Sequence, residues 1–172
     1  CDEQLQQHAA PKLSIHLQQA LVKGERMDWV MQKATELGVS SIQPILCQRS
    51  EVKLNTQRLQ KKQQHWQQVI IHAAQQSGNY FLPALKPLVR FDQAISNNDQ
   101  ASWILHPGNN NALPAQPPQD SITLLIGPEG GFSSHEIDQA IKNKINTLGL
   151  GPRILRTETA ALSALTVFQY QW

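Results

Sequence analysis

Four charged side chains and two glycine-bearing turns lie closer together in the last third of the sequence than solvation alone requires. Gly127-Pro128-Glu129-Gly130-Gly131 follows the apolar run Thr123-Leu124-Leu125-Ile126, and Gly149-Leu150-Gly151-Pro152 follows Thr147-Leu148. Glycines at such places let another molecule approach bare backbone, so both turns offer N–H and C=O groups to a ligand. Arg153-Ile154-Leu155-Arg156-Thr157-Glu158-Thr159 comes next, before an apolar helix. A guanidinium there can stabilise developing negative charge, and a carboxylate such as Glu129 or Glu158 can take a proton if burial raises its pKa. The plainer reading is structural: ordinary strand-to-helix turns, with Thr157 capping the last helix and Glu158 favoured by the dipole of its first turn.

Those groups need elements to hold them. Thr123-Leu124-Leu125-Ile126 is short, apolar and bounded by Gly-Pro, as a buried central strand should be. Ser133 and Glu136 have the spacing of a capping box, which starts a helix running to about residue 144. Alternation over residues 13–21 predicts a half-buried strand with His16 facing solvent. Met27, Val30, Met31, Ala34 and Leu37 recur at helical spacing before Gly38. Residues 42–47 form a second strand, pushed toward an edge or bulge by Pro44. A long helix over 59–75 carries Leu59, Trp66, Val69, Ile70 and Ala73 on one face and ends at Gly78. Trp66 at that register is core rather than a stacking platform. Val89 to Ile95 reads as a strand end and a short helix, and Ser102-Trp103-Ile104-Leu105-His106-Pro107-Gly108 as a third strand and its turn; residues 109–120 have no periodicity. Strands alternating with helices give an α/β fold, a mostly parallel sheet flanked by helices, in which ligands sit beyond the carboxyl ends of strands.

The wording of these turns is specific. Leu125-Ile126-Gly127-Pro128-Glu129-Gly130-Gly131-Phe132-Ser133, with Leu148 to Thr159, resembles the signature of the RsmE-type methyltransferases, which act on N3 of a uridine in 16S ribosomal RNA. The similarity continues in Gln32-Lys33-Ala34-Thr35-Glu36-Leu37-Gly38-Val39, Arg49-Ser50-Glu51-Val52-Lys53, Ala74-Gln75-Gln76-Ser77-Gly78 and Leu105-His106-Pro107, so it spans nearly the whole chain. The resemblance implies a SPOUT fold with a carboxyl-terminal deep trefoil knot. It implies S-adenosylmethionine held by Leu105, His106, Pro107, Gly127, Pro128, Glu129, Gly130, Leu148, Gly149, Leu150, Ile154, Leu155, Arg156 and Thr159. The substrate would be 16S ribosomal RNA within the small ribosomal subunit. Arg156 is the first catalytic candidate, with Glu129 and Glu158 as possible bases. Arg49 and Lys53, in a loop leaving a strand's carboxyl end, and Gln76 are candidates for RNA contact. Asn79 stands where the family usually has arginine.

Other classes fit less well. A different SPOUT enzyme, acting on ribose 2′-oxygen or another base, would share the glycine turns, and a non-catalytic RNA- or nucleotide-binding module is conceivable. No Walker lysine follows the glycines, and no Gly-x-Gly-x-x-Gly opens a helix after a strand. His65 and His72 stand seven apart without a third ligand, and Cys1 and Cys47 fit no metal spacing, so no metal is expected. With 172 residues, 40% of them apolar, the chain suits one domain. A net charge of +2 permits an RNA partner without requiring one. No apolar run is long enough to span a bilayer, and the expected location is cytoplasmic. The chain begins Cys-Asp-Glu, which suggests a fragment, and nothing in it resembles the amino-terminal β-rich RNA-binding domain of the family. The apolar, small-residue-rich helix after Glu158 must be buried on several sides, which points to a partner subunit and hence a homodimer.

Overall fold

The computed structural model describes residues 13–51, 55–96, 101–108 and 113–172. Its elements run β1 (Ser14–Ala20), α1 (Arg26–Glu36), β2 (Ser41–Leu46), α2 (Thr56–Ser77), β3 (Ala84–Leu85), β4 (Val89–Arg90), α3 (Phe91–Ser96), β5 (Ala101–Leu105), β6 (Ser121–Ile126), α4 (Ser134–Lys142), β7 (Asn146–Leu148) and α5 (Thr157–Gln171). The sheet order is β3-β2-β1-β6-β5-β7, with β4 also pairing β2, and every described ladder is parallel.

Parallel strands must be covered on both faces, and β6 shows how. Ile122, Leu124 and Ile126 enter a core with Met27, Val30, Trp66, Ala161, Leu165 and Phe168, which are the inward residues of α1, α2 and α5. Leu125 enters a second core with Phe91, Ile95, Phe132, Ile137 and Ala140, which lie on or beside α3 and α4. Trp103 and Phe168 meet edge-on at 5.1 Å, and Trp172 closes the cluster at 5.2 Å from Phe168. α5, apolar and rich in alanine, fits closely because its buried positions 161, 164, 165 and 168 keep helical spacing.

Three expectations change. β1 is not a half-buried strand but a largely buried one in the middle of the sheet, paired with β2 and β6. Its polar residues are satisfied across strands. His16 is half-buried rather than solvent-facing, with Nδ1 2.7 Å from Ser41 Oγ and Nε2 3.0 Å from Ser121 Oγ. β2 is also interior despite Pro44. β3 pairs with it at Ser41 and Ile42, and β4 at Ile45 and Leu46, so the proline falls in the gap between two short partners. Thr157 is not a cap: the N-cap of α5 is Arg156, without a side-chain cap bond. Other readings hold. Ser133 and Glu136 form the reciprocal capping box, Gly78 ends α2 at φ 65°, and Trp66 is buried with its indole N–H donating to Asp28 Oδ1.

Candidate functional site

Because all these ladders are parallel, the loops leaving β1, β2, β5, β6 and β7 gather at one edge of the sheet. They enclose a cavity of about 610 Å³, lined by residues 105–107, 126–132, 148–151 and 153–158 together with Arg26, Arg49 and Ala160. The two glycine turns therefore meet on one space. That volume falls in the range of small-ligand sites, about 300–1,000 Å³. It forms where helices return the chain between neighbouring parallel strands, the usual crevice of an open α/β sheet.

The walls are built from backbone and braced by charge. Gly131 N–H donates to Pro128 O at 2.8 Å, closing a turn that Gly131 completes at φ 67°. His106 N–H donates to Leu148 O at 2.9 Å, tying the β5 turn to the end of β7. Arg49 Nη1 donates to Gly130 O at 2.9 Å and to Phe132 O at 3.3 Å, which braces the β6 loop. Glu129 accepts from Arg26 at 2.9 Å and from the Lys23 amide at 3.3 Å. This pair is half exposed, so its net worth is only about 0–1 kcal/mol. Its effect is to hold Glu129 toward α1. Thr157 Oγ1 donates to Gly127 O at 2.6 Å, joining the first turn of α5 to the glycine that opens the opposite wall.

Two charged groups differ. No ion pair is formed by Arg156 among the described residues, and Glu158 has a buried carboxylate oxygen, Oε2, without a hydrogen-bond partner; both line the cavity. An unsatisfied buried acceptor at a cavity wall is the feature a ligand N–H would complete.

Of the expected cofactor residues, Leu105, His106, Pro107, Gly127, Pro128, Glu129, Gly130, Leu148, Gly149, Leu150, Ile154, Leu155 and Arg156 line this cavity. Thr159 does not: it lies exposed on α5, rotated away from Thr157 and Ala160, which share the cavity side at i and i+3. Gln76 is exposed near the end of α2, and α2 has by then carried the chain back toward the amino edge of the strands. Lys53 lies outside the described residues. Asn79 donates to Thr35 O at 3.0 Å and accepts from the Phe81 amide, so it fastens the end of α1 to the turn after α2. Arg26 and the fully buried Gln19 were not singled out from the sequence. Their partners are 103 and 138 positions away, and no local pattern marks them. Among the described residues no group of His, Cys, Asp and Glu could hold a metal ion, and no helix is long and apolar enough to cross a membrane.

Residues 9–169 match the RNA methyltransferase domain family. The chain is 35% identical over 167 residues to ribosomal RNA small subunit methyltransferase E of Mesomycoplasma hyopneumoniae, covering 95% of this chain and 73% of that protein. The chain belongs to the ribosomal RNA small subunit methyltransferase E family. The member from Bacillus subtilis is 33% identical over 170 residues, covering 92% of this chain and 66% of its own length. The chain thus spans about two thirds of the length of the family members it matches. The family enzyme of Neisseria gonorrhoeae, solved bound to S-adenosylmethionine, superposes with a TM-score of 0.86 at 35% identity, over 93% of this chain and 67% of that one. A Legionella pneumophila methyltransferase structure, in complex with the same cofactor, gives 0.88 at 44% identity, over 92% and 66%. The family and the parallel α/β architecture expected from Gly-Pro-Glu-Gly-Gly and Leu-Arg-Thr-Glu-Thr are therefore borne out.

Proposed function

We propose that this chain catalyses S-adenosylmethionine-dependent methylation of N3 of a uridine in 16S ribosomal RNA, as the resemblance of its turn motifs implies. The observation that carries the reading is the convergence of three strand-end loops, each presenting backbone polar groups, on one cavity of about 610 Å³. Residues 105–107, 127–130 and 148–156 would hold the cofactor, whose bound sulfonium supplies an activated methyl group with a neutral leaving group. The rest is alignment and charge. Fixing reacting atoms in line at near-contact distance is worth roughly 7–11 kcal/mol at best.

Uracil N3 carries a proton at neutral pH, so the site must remove it or stabilise the anion. Arg156, which lines the cavity and forms no ion pair among the described residues, supports the second role. Of the two carboxylates, Glu129 is held by Arg26 and the Lys23 amide, while Glu158 keeps one oxygen free of partners. That contrast favours Glu158 as the acceptor for the N3 proton. Arg49 Nη1 braces the loop through Gly130 and Phe132, and the exposed rest of the guanidinium keeps donors for an RNA phosphate.

The same reading includes a carboxyl-terminal chain threaded as a trefoil knot, one catalytic domain, a cytoplasmic location and a homodimer. Exposed Val167 and Tyr170 on α5, 40% and 92% accessible, support a partner on that helix. Light scattering at micromolar concentration should give twice the chain mass; a monomer would exclude the dimer.

The function is tested by incubating unmodified small ribosomal subunits with labelled cofactor and analysing the nucleosides. Label should appear in N3-methyluridine, and Arg156→Ala should slow the reaction roughly a hundredfold or more. Label in a 2′-O-methyl nucleoside or another base would reassign the reaction, and no label in any nucleoside would refute it.

A further inference from the structure

Gln19 has no counterpart in the chemistry above, yet it is the most completely buried polar side chain near the cavity, at 0% exposure one residue before the end of β1. It sits on the same face of β1 as Ile15, Leu17 and Leu21, where an apolar side chain would pack without any polar group to satisfy. Both amide protons are used: Nε2 donates to Ala20 O at 3.0 Å and to Thr157 Oγ1 at 3.0 Å. Thr157 has a single hydroxyl proton, and at 2.6 Å it points to Gly127 O, which can only accept. The oxygen facing Gln19 must therefore accept, and the amide can take only one orientation. Its own Oε1 is left buried without a partner. Burial on an apolar face does not by itself call for an amide with one orphaned oxygen. Direction does. A buried, fully oriented relay connects β1 to α5 and α5 to the loop after β6.

We propose that Gln19 is a positioning residue for the cavity: through Thr157 it fixes the distance between the wall that begins at Gly127 and the wall that ends at Arg156. The proposal rests on the reading of the cavity as the cofactor site. Gln19 touches no ligand. It sets the spacing that backbone groups of the two walls need in order to grip one small molecule together, the same requirement that makes supporting shells important around any preorganised site.

The test compares Gln19→Leu, Gln19→Glu, Thr157→Val and Thr157→Ser in the otherwise unchanged chain, by amide hydrogen exchange and by calorimetric titration with S-adenosylmethionine. In Gln19→Leu the amides of residues 127–132 and 149–158 should exchange roughly tenfold faster, and cofactor affinity should fall by a similar factor, the scale of an ordinary buried hydrogen bond. Gln19→Glu, which sets a carboxylate against two acceptor oxygens, should be worse. Thr157→Val should reproduce Gln19→Leu, Thr157→Ser should restore the parent behaviour, and the double variant Gln19→Leu with Thr157→Val should be no worse than either alone. Parental exchange rates in Gln19→Leu overturn the proposal, as do additive effects or a Thr157→Ser that behaves like Thr157→Val. A parent chain that takes up no cofactor overturns the functional reading instead, and the exchange rates still decide whether the relay holds the walls.

Discussion

Adding one methyl group to Gly127 should both destabilise the fold and deform the cavity, because the group it meets has nowhere to go. A Cβ at position 127 would stand 3.1 and 3.2 Å from two ring carbons of Phe132 and 3.3 Å from its backbone nitrogen. The ring is fixed: Phe132 is 5% exposed, packs against Phe91 at 5.5 Å, and belongs to the core over α3 and α4. Its carbonyl is also held by Arg49. Gly127→Ala therefore overpacks a core and should cost about 1–3 kcal/mol. In a chain of this size each kcal/mol lowers Tm by about 2–4 °C. Because Gly127 O accepts from Thr157, the shift should reach the opposite wall and weaken cofactor binding as well. The internal control is Gly130→Ala, whose Cβ would meet nothing nearer than Arg49 Cβ at 3.4 Å, an ordinary contact, without a positive φ. That variant should melt within about 0.5 kcal/mol of the parent. The assay is thermal or urea unfolding followed by calorimetric titration. An unchanged Gly127→Ala beside a destabilised Gly130→Ala would refute the reasoning.

Two further outcomes follow from bonds already described. Glu136 is 4% exposed, accepting from the Ser133 amide and from the Gln48 amide, each at 2.8 Å, so it caps α4 and fastens the loop after β2. Glu136→Ala should cost about 2–4 kcal/mol by urea unfolding, and Glu136→Gln less than that, since one acceptor remains; equal effects would contradict the assignment. His16 has its pKa lowered, first by burial and then by Lys86, so the folded chain favours the neutral ring. The folded state then binds fewer protons than the unfolded one below the ordinary imidazole range. Its contribution to stability is complete above that range and is lost as pH falls through the lowered folded value. Tm measured from pH 7.5 to 5 should fall more steeply for the parent than for His16→Gln, and parallel curves would exclude the linkage.

What could be read in the sequence was local. The capping box at Ser133 and Glu136, the left-handed glycine after α2 and the doubly buried run of β6 each follow from residues a few positions apart. What escaped was set by distant partners. Alternation placed His16 outside because nothing near it says that Ser41 and Ser121 will sit on neighbouring strands. Pro44 argued for an edge because the split between β3 and β4, which leaves its nitrogen unneeded, is a property of the assembled sheet. Thr157 had the type and place of a cap, yet the helix already includes it, with Arg156 as N-cap, and its hydroxyl accepts from Gln19 and donates to Gly127 O 30 residues earlier. The candidate site was legible through its glycines and arginines, while its braces, Arg26 and Gln19, come from the first strand and helix.

The central claim is that the turns at 127–131 and 149–151 grip a single molecule between them. The most direct measurement is an amide-resolved NMR titration with S-adenosylmethionine. Gly130 and Gly149 should shift together along one saturating isotherm, while Asn79 and Lys86, at the far edge of the sheet, stay in place. Movement of one glycine without the other, or of neither at saturating cofactor, would contradict the account.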